Sequence, residues 1–132
     1  MTSRLDLVTL VVDDYDRAIQ FFVDGLGFDL VEDSPATTGS GTEKRWVVVR
    51  PPGAETGLLL ARADGESQTR VVGNQSGGRV SFFLRVDDFE VSLQRMESAG
   101  VVFVSPARVE AYGQVAVFLD CVGNRWDLLG PA

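Results

Sequence analysis

Val12-Asp13-Asp14-Tyr15-Asp16 returns 74 positions further along as Val86-Asp87-Asp88-Phe89-Glu90, and the likeness continues with Ile19-Gln20 against Leu93-Gln94 and Phe22 against Met96. Each copy closes a β-rich run and opens a pattern of helical spacing. In the first, Tyr15, Ala18, Ile19 and Phe22 recur at i, i+3, i+4 and i+7. In the second, Phe89, Leu93 and Met96 make the apolar stripe. Asp13 is the expected N-cap of the first helix, with Asp14 and Asp16 favourable in its first turn and Gly25 and Gly27 as the stop. Asp87 with Glu90 reads as a capping-box-like pair, and Gly100 ends the second helix. Helices are therefore expected near 14–25 and 88–99.

Working outward, module one reads as strands over 5–12, 28–32, 45–50 and 56–62, with a polar, Gly-rich loop at 34–42 and a turn at Pro51-Pro52-Gly53. In module two, strands are expected near 101–104, 109–112 with 114–120, and 125–129, with a turn at 121–124. The segment 63–78 is polar and contains Gly, Ser and Gln, which suits a connector. A repeat of element order at this scale indicates duplicated units. The expected fold class is α+β, with two tandem βαβββ modules forming a curved mixed sheet around a cavity. They make one domain over 1–132: module one 4–62, connector 63–78, module two 79–130.

Composition bounds the function. The chain has 132 residues, 45% hydrophobic and 23% charged, which excludes disordered, collagen-like and low-complexity classes. Twelve Lys and Arg against nineteen Asp and Glu leave a net charge of −7, without the basic stripe a phosphate backbone needs, so no nucleic-acid partner is expected. Apolar runs such as 47–49 and 58–61 fall far short of the roughly 18 to 20 residues of a bilayer span. The opening Met-Thr-Ser-Arg-Leu-Asp lacks a secretory apolar core. No membrane partner and a cytoplasmic location are the expectation, and the single cysteine, Cys121, agrees with a reducing compartment.

The chain has no histidine. That removes Ser-His-Asp and Cys-His catalysis, His-rich zinc sites and the facial triad of two histidines and a carboxylate. One cysteine also rules out thiolate zinc sites. Gly39-Ser40-Gly41 and Gly77-Gly78 lack the strand-loop-helix setting of a phosphate-binding loop and read as turns. Cys121 has no visible activating base and reads as a structural thiol.

Leu7-Val8-Thr9-Leu10-Val11-Val12-Asp13-Asp14 with Arg17-Ala18 and Phe21-Phe22, Gly25-Leu26-Gly27-Phe28, Ala99-Gly100-Val101, and above all 118–128, Phe-Leu-Asp-Cys-Val-Gly-Asn-Arg-Trp-Asp-Leu, together resemble the vicinal oxygen chelate superfamily. This is also called the glyoxalase, bleomycin-resistance and extradiol-dioxygenase superfamily. The last motif is similar to the family's strand, D-P-D-G-N turn and closing strand. Arg45-Trp46-Val47-Val48-Val49 with Pro51-Pro52-Gly53-Ala54-Glu55 further resembles an uncharacterised bacterial glyoxalase-like subgroup.

The resemblance implies that two half-barrels enclose a cavity, with a divalent metal in enzymatic members held by the first and fourth strands of each module. Carried over residue by residue, those positions are Leu7, Leu59 within about one residue, Ser81 and Asp127. Only Asp127 is a strong ligand, and transition metals normally need three or four, so no metal and no cofactor are expected. Asp127 could equally be a carboxylate satisfied by a neighbouring strand or by Arg125.

Strand alternation sets Leu7, Thr9 and Val11, and likewise Ser81, Phe83 and Arg85, toward the cavity. Trp46, Val48, Tyr112 and Phe118 add apolar wall, and Arg85 or Arg45 could supply an anion or stacking contact near a rim. Trp46 and Trp126 also fit core or interface positions. The expected ligand-binding cavity is thus Leu7, Thr9, Trp46, Val48, Leu59, Ser81, Phe83, Tyr112, Phe118 and Asp127.

The function expected first is a metal-free small-molecule binding protein, of the kind that sequesters drugs, with a small organic molecule as partner. The alternative is a glyoxalase-like lyase or dioxygenase-type enzyme with an atypical or absent metal site. Tyr112 with Glu110 or Asp127 is the acid/base pair available to it, and no catalytic residue is assigned. Curved sheets with open edges are commonly covered by pairing across subunits in small members of the superfamily, so a homodimer is expected.

Overall fold

The computed structural model describes residues 2–36 and 43–131; of the loop expected over 34–42, the part at 37–42 lies outside the described residues, as do Gly39-Ser40-Gly41. The protein is α+β, and it divides into two compact units, Met1–Val71 and Val72–Ala132.

Unit one begins with β1 (Leu7–Val12) and α1 (Tyr15–Gln20), which runs on as one π-helical turn over Phe21–Gly25. Asp14, not Asp13, caps the helix: its Oδ1 accepts the Arg17 N–H at 2.8 Å. Asp13 instead holds the Arg17 guanidinium through both carboxylate oxygens, at 2.9 and 2.8 Å. The π turn, closed by Leu26 N–H to Phe21 O, brings Phe22 against Phe21 at 5.1 Å and Phe28 at 5.4 Å between ring centroids. β2 (Asp29–Ala36), β3 (Lys44–Arg50), β4 (Gly57–Arg62) and α2 (Glu66–Val71) follow.

The sheet order is β1-β4-β3-β2, with β1 parallel to β4 and the remaining pairs antiparallel. β2 runs four residues past the expected end, taking up Pro35, because an edge strand tolerates a residue with no N–H to donate. α2 lies inside the expected connector. It buries none of its residues and is held locally: Gln68 Oε1 accepts the Asp64 N–H, Thr69 Oγ1 donates to Gly65 O, and Arg70 pairs with Glu66.

Unit two repeats the plan with β5 (Val80–Arg85), α3 (Phe89–Ser98), β6 (Val102–Phe103), β7 (Arg108–Glu110), β8 (Gly113–Leu119) and β9 (Arg125–Leu129), ordered β5-β9-β8-β6 with β7 beside β8. Asp88, the counterpart of Asp14, caps α3 by accepting the Val91 N–H at 3.1 Å. The single strand β2 of unit one has two short counterparts here, β6 and β7, separated at Ser105-Pro106.

The cores lie on one face of each sheet. Leu10, Val12, Val47, Val49 and Leu60 are completely buried in unit one, where α1 packs on β3 and β4. In unit two the Trp126 ring lies between Phe82 and Phe118, with centroids 4.5 and 5.6 Å away, and Phe103 adjoins Phe118.

Candidate functional site

The faces of the two sheets turned away from these cores carry the residues that chemistry can use, and strand register decides which they are. Laterally paired residues point to the same side of a sheet. In unit one, Thr9 pairs with Leu59, Leu59 with Val48, and Val48 with Glu32, giving one row across all four strands. Leu7, opposite Gly57, lies two residues along β1 on the same side, and Trp46, opposite Ser34, lies two along β3. The five residues expected in module one therefore share one face. Trp46 is 41% exposed.

In unit two the corresponding row is Phe83, Asp127 and Val117. Thr9 and Phe83 occupy equivalent places, so their partners Leu59 and Asp127 do as well. Phe118 is off this row. It pairs with Trp126, is fully buried and belongs to the aromatic core, so the expectation that it lines a cavity is corrected; the β8 residue on the row is Val117. A phase error of one residue moves a side chain to the opposite face. Tyr112 sits in the turn between β7 and β8, 59% exposed and off the row.

Ser81 is also displaced from simple alternation. A bulge falls between Val80 and Phe82, and the Ser81 hydroxyl donates to Ser76 Oγ at 2.9 Å.

Asp127 is the chemically distinctive member of the row. Its Oδ1 is buried and accepts no hydrogen bond, so neither a neighbouring strand nor Arg125 satisfies that oxygen. Phe83, directly opposite, is 65% exposed. The row therefore sets an apolar ring in solvent across from a carboxylate with one oxygen buried and unpaired.

The four inherited metal positions do not fit a divalent metal. Leu7 and Leu59 offer no lone pair, Ser81 is a neutral hydroxyl engaged by Ser76, and Asp127 is left as one carboxylate. Among the described residues no three His, Cys, Asp or Glu side chains cluster as a metal would require.

Other candidates are committed elsewhere. Arg45 pairs with Asp33 at 2.7 Å and Asp16 at 3.0 Å and lies over the Tyr15 ring at 5.1 Å. The hydrogen bond to Asp33 comes first among the causes holding its pKa far above the ordinary arginine value, and the same bond lowers that of Asp33. Glu110 pairs with Arg108 at 2.8 Å. Trp126 is a core residue, and its indole N–H donates to Asp120. Cys121 is half-buried in the turn after β8.

Two βαβββ units with this strand order define a glyoxalase-type fold, and the chain belongs to the Glyoxalase/Bleomycin resistance protein/Dioxygenase superfamily, whose family model matches residues 4–128. An uncharacterized protein of Shewanella frigidimarina is 52% identical over 130 residues, covering 98% of this chain and 94% of that one. Among solved structures the chain is similar to UcmS2, with TM-score 0.80, 30% identity and 98% of each chain covered. It is also similar to TnmS3, an antibiotic binding protein from Streptomyces sp. CB03234, with TM-score 0.77, 30% identity, and 99% of this chain and 98% of that one covered. No helix among the described residues is long and apolar enough to cross a membrane.

Proposed function

We propose that this protein binds a small organic molecule without metal, and that the ligand joins an aromatic ring to a hydrogen-bond donor, either a protonated amine or a hydroxyl. The observation that carries this reading is the buried, unpaired Oδ1 of Asp127 beside the exposed ring of Phe83. A buried acceptor left unmade costs about 1–3 kcal/mol, and a donor from the ligand would recover it. Apolar area buried at about 25 cal/mol per Å² supplies the remaining affinity, even after the entropy lost on association. On unit one, taken by itself, the shared open face of Leu7, Thr9, Trp46, Val48 and Leu59 is assigned as a second, apolar ligand-facing surface. The similarity to an antibiotic binding protein at 30% identity supports this reading.

The test is tryptophan fluorescence titrated with the aromatic cation ethidium, with and without EDTA. Saturable quenching that is insensitive to EDTA, and about tenfold weaker in Asp127→Asn or Phe83→Ala, is the expected result. No saturable binding, or binding abolished by EDTA, overturns the proposal.

We further propose that the chain acts in the cytoplasm as a homodimer. The support is exposed apolar residues at sheet edges, Leu30 and Val31 on β2 and Val102 on β6. Light scattering at micromolar concentration should give about twice the monomer mass of 14.3 kDa; the monomer mass itself rejects the dimer.

A further inference from the structure

We propose that unit two carries a separate oxyanion site, a polar recess of about 110 Å³ between the loop 73–79 and the turn 123–125, which takes a phosphate or sulfate group. Arg79 and Arg125 line it, together with the hydroxyls of Ser76 and Ser81 and the amides of Asn74 and Asn124.

The recess is built before any ligand arrives. Gly73 has φ +77°, and a Cβ there would stand 2.1 Å from the Val122 carbonyl oxygen, so the loop backbone presses directly on the turn. Gln75 N–H donates to Asn124 Oδ1 at 3.1 Å. Asn124 is 3% exposed and is itself fixed by Asp120, which accepts both its backbone N–H and its side-chain Nδ2. Loop, turn and strand start are thus clamped together, and a preorganised site loses little entropy on binding.

The charge in the recess has one sign. Neither Arg79 nor Arg125 is in an ion pair among the described residues, and no carboxylate lines the recess. Asp120, three residues before the turn, is taken up by the N–H groups of Val122, Gly123 and Asn124 and by the Trp126 indole, and Asp127, two residues after it, does not line the recess. In a chain of net charge −7, two unpaired guanidinium groups on one recess need a reason, and an incoming anion supplies it.

The serine pair adds a donor. Ser81 Oγ and Ser76 Oγ lie 2.9 Å apart and share one hydroxyl hydrogen between them, so the other hydroxyl hydrogen of the pair is free to turn to an anion. The bulge between Val80 and Phe82 is what places Ser81 here and not in the ladder. Guanidinium and hydroxyl donors lining one recess with no carboxylate among them match a tetrahedral oxyanion.

The experiment is a two-dimensional NMR titration of the labelled protein with sodium phosphate, against sodium chloride at equal ionic strength. Saturable shifts confined to the amides of 73–79 and 122–125 are expected with phosphate and not with chloride. The Arg79→Gln/Arg125→Gln double variant should weaken the midpoint by about tenfold or more, while Arg4→Ala, a cation of the other unit, should leave it in place. Both guanidinium positions are exposed, so a native spectrum is expected of the double variant; Ser81→Ala, with a smaller loss of affinity, is the second check. A phenyl phosphate arm separates the sources: an equal midpoint indicates the free anion, and a tighter one a phosphate carried on a larger molecule. Shifts that rise linearly and match chloride, or a midpoint unchanged in the double variant, overturn the site.

Discussion

The indole N–H of Trp126 donates to Asp120 Oδ2 at 2.9 Å, tying the turn after β8 to the aromatic core of unit two. The Oδ1 of the same carboxylate accepts the backbone N–H groups of Val122, Gly123 and Asn124 at 3.1, 3.0 and 3.0 Å. The motif that resembles the superfamily most specifically is therefore a folding device here: one buried carboxylate satisfies the donors that a tight turn would leave bare. Asp120→Ala should lower the unfolding free energy by about 3 kcal/mol, because several buried N–H groups lose their acceptor together. Urea unfolding measures this, and a loss under about 1 kcal/mol would show that water replaces the carboxylate cheaply.

Asp127 has the opposite ledger. Its Oδ1 is buried without a partner, while its counterpart in unit one is the apolar Leu59. Asp127→Leu removes an unmade hydrogen bond and should raise the unfolding free energy by about 1 kcal/mol while weakening ethidium binding. Thermal denaturation with and without the dye measures both changes; a destabilised variant would mean that the carboxylate is satisfied in solution.

Arg45 bridges Asp33 and Asp16, and its hydrogen bond to Asp33 holds that carboxyl below its ordinary value near 3.8. A depressed acid stabilises the fold above its unfolded pKa and ceases to as pH falls through the folded one. Arg45→Met should thus cost about 1 kcal/mol near neutral pH, as expected for a partly exposed network, and the gap from the parent should close below about pH 4. Urea midpoints of both proteins across pH 2 to 7 test it, and a gap constant over that range would assign the loss to packing on Tyr15.

Much of the fold was legible because its signals are local and duplicated. The 74-residue repeat placed both helices, and the true caps Asp14 and Asp88 stand one residue beyond those expected from Asp13 and Asp87, since Asp at either position would satisfy the rule. α2 was invisible because it buries nothing and so leaves no apolar period in the sequence. The open-face residues of unit one followed from alternation on regular strands. In unit two the same reasoning met a bulge at Ser81 and misjudged the phase of β8, features set by pairing between distant strands. Nothing in the sequence signalled that Asp127 Oδ1 would be left unpaired, because satisfaction is a property of the packed neighbours.

Val117 and Phe118 are consecutive on β8 and face opposite ways, so a pair of alanine variants tests the face assignment directly. Phe118 is fully buried against Trp126 and Phe103, and Phe118→Ala should cost about 3–5 kcal/mol through the cavity it leaves. Its effect on ethidium binding should appear only where unfolding begins. Val117 is half-buried and pairs with Asp127 on the open face. Val117→Ala deletes two methyl groups' worth of ligand contact and should cost only about 1 kcal/mol of stability, while weakening the dye by about threefold at temperatures where the protein is fully folded. Measured together by urea unfolding and fluorescence titration, the two variants should separate stability from binding. If Phe118→Ala weakens the dye in fully folded protein and Val117→Ala does not, the binding surface lies on the other side of the sheet.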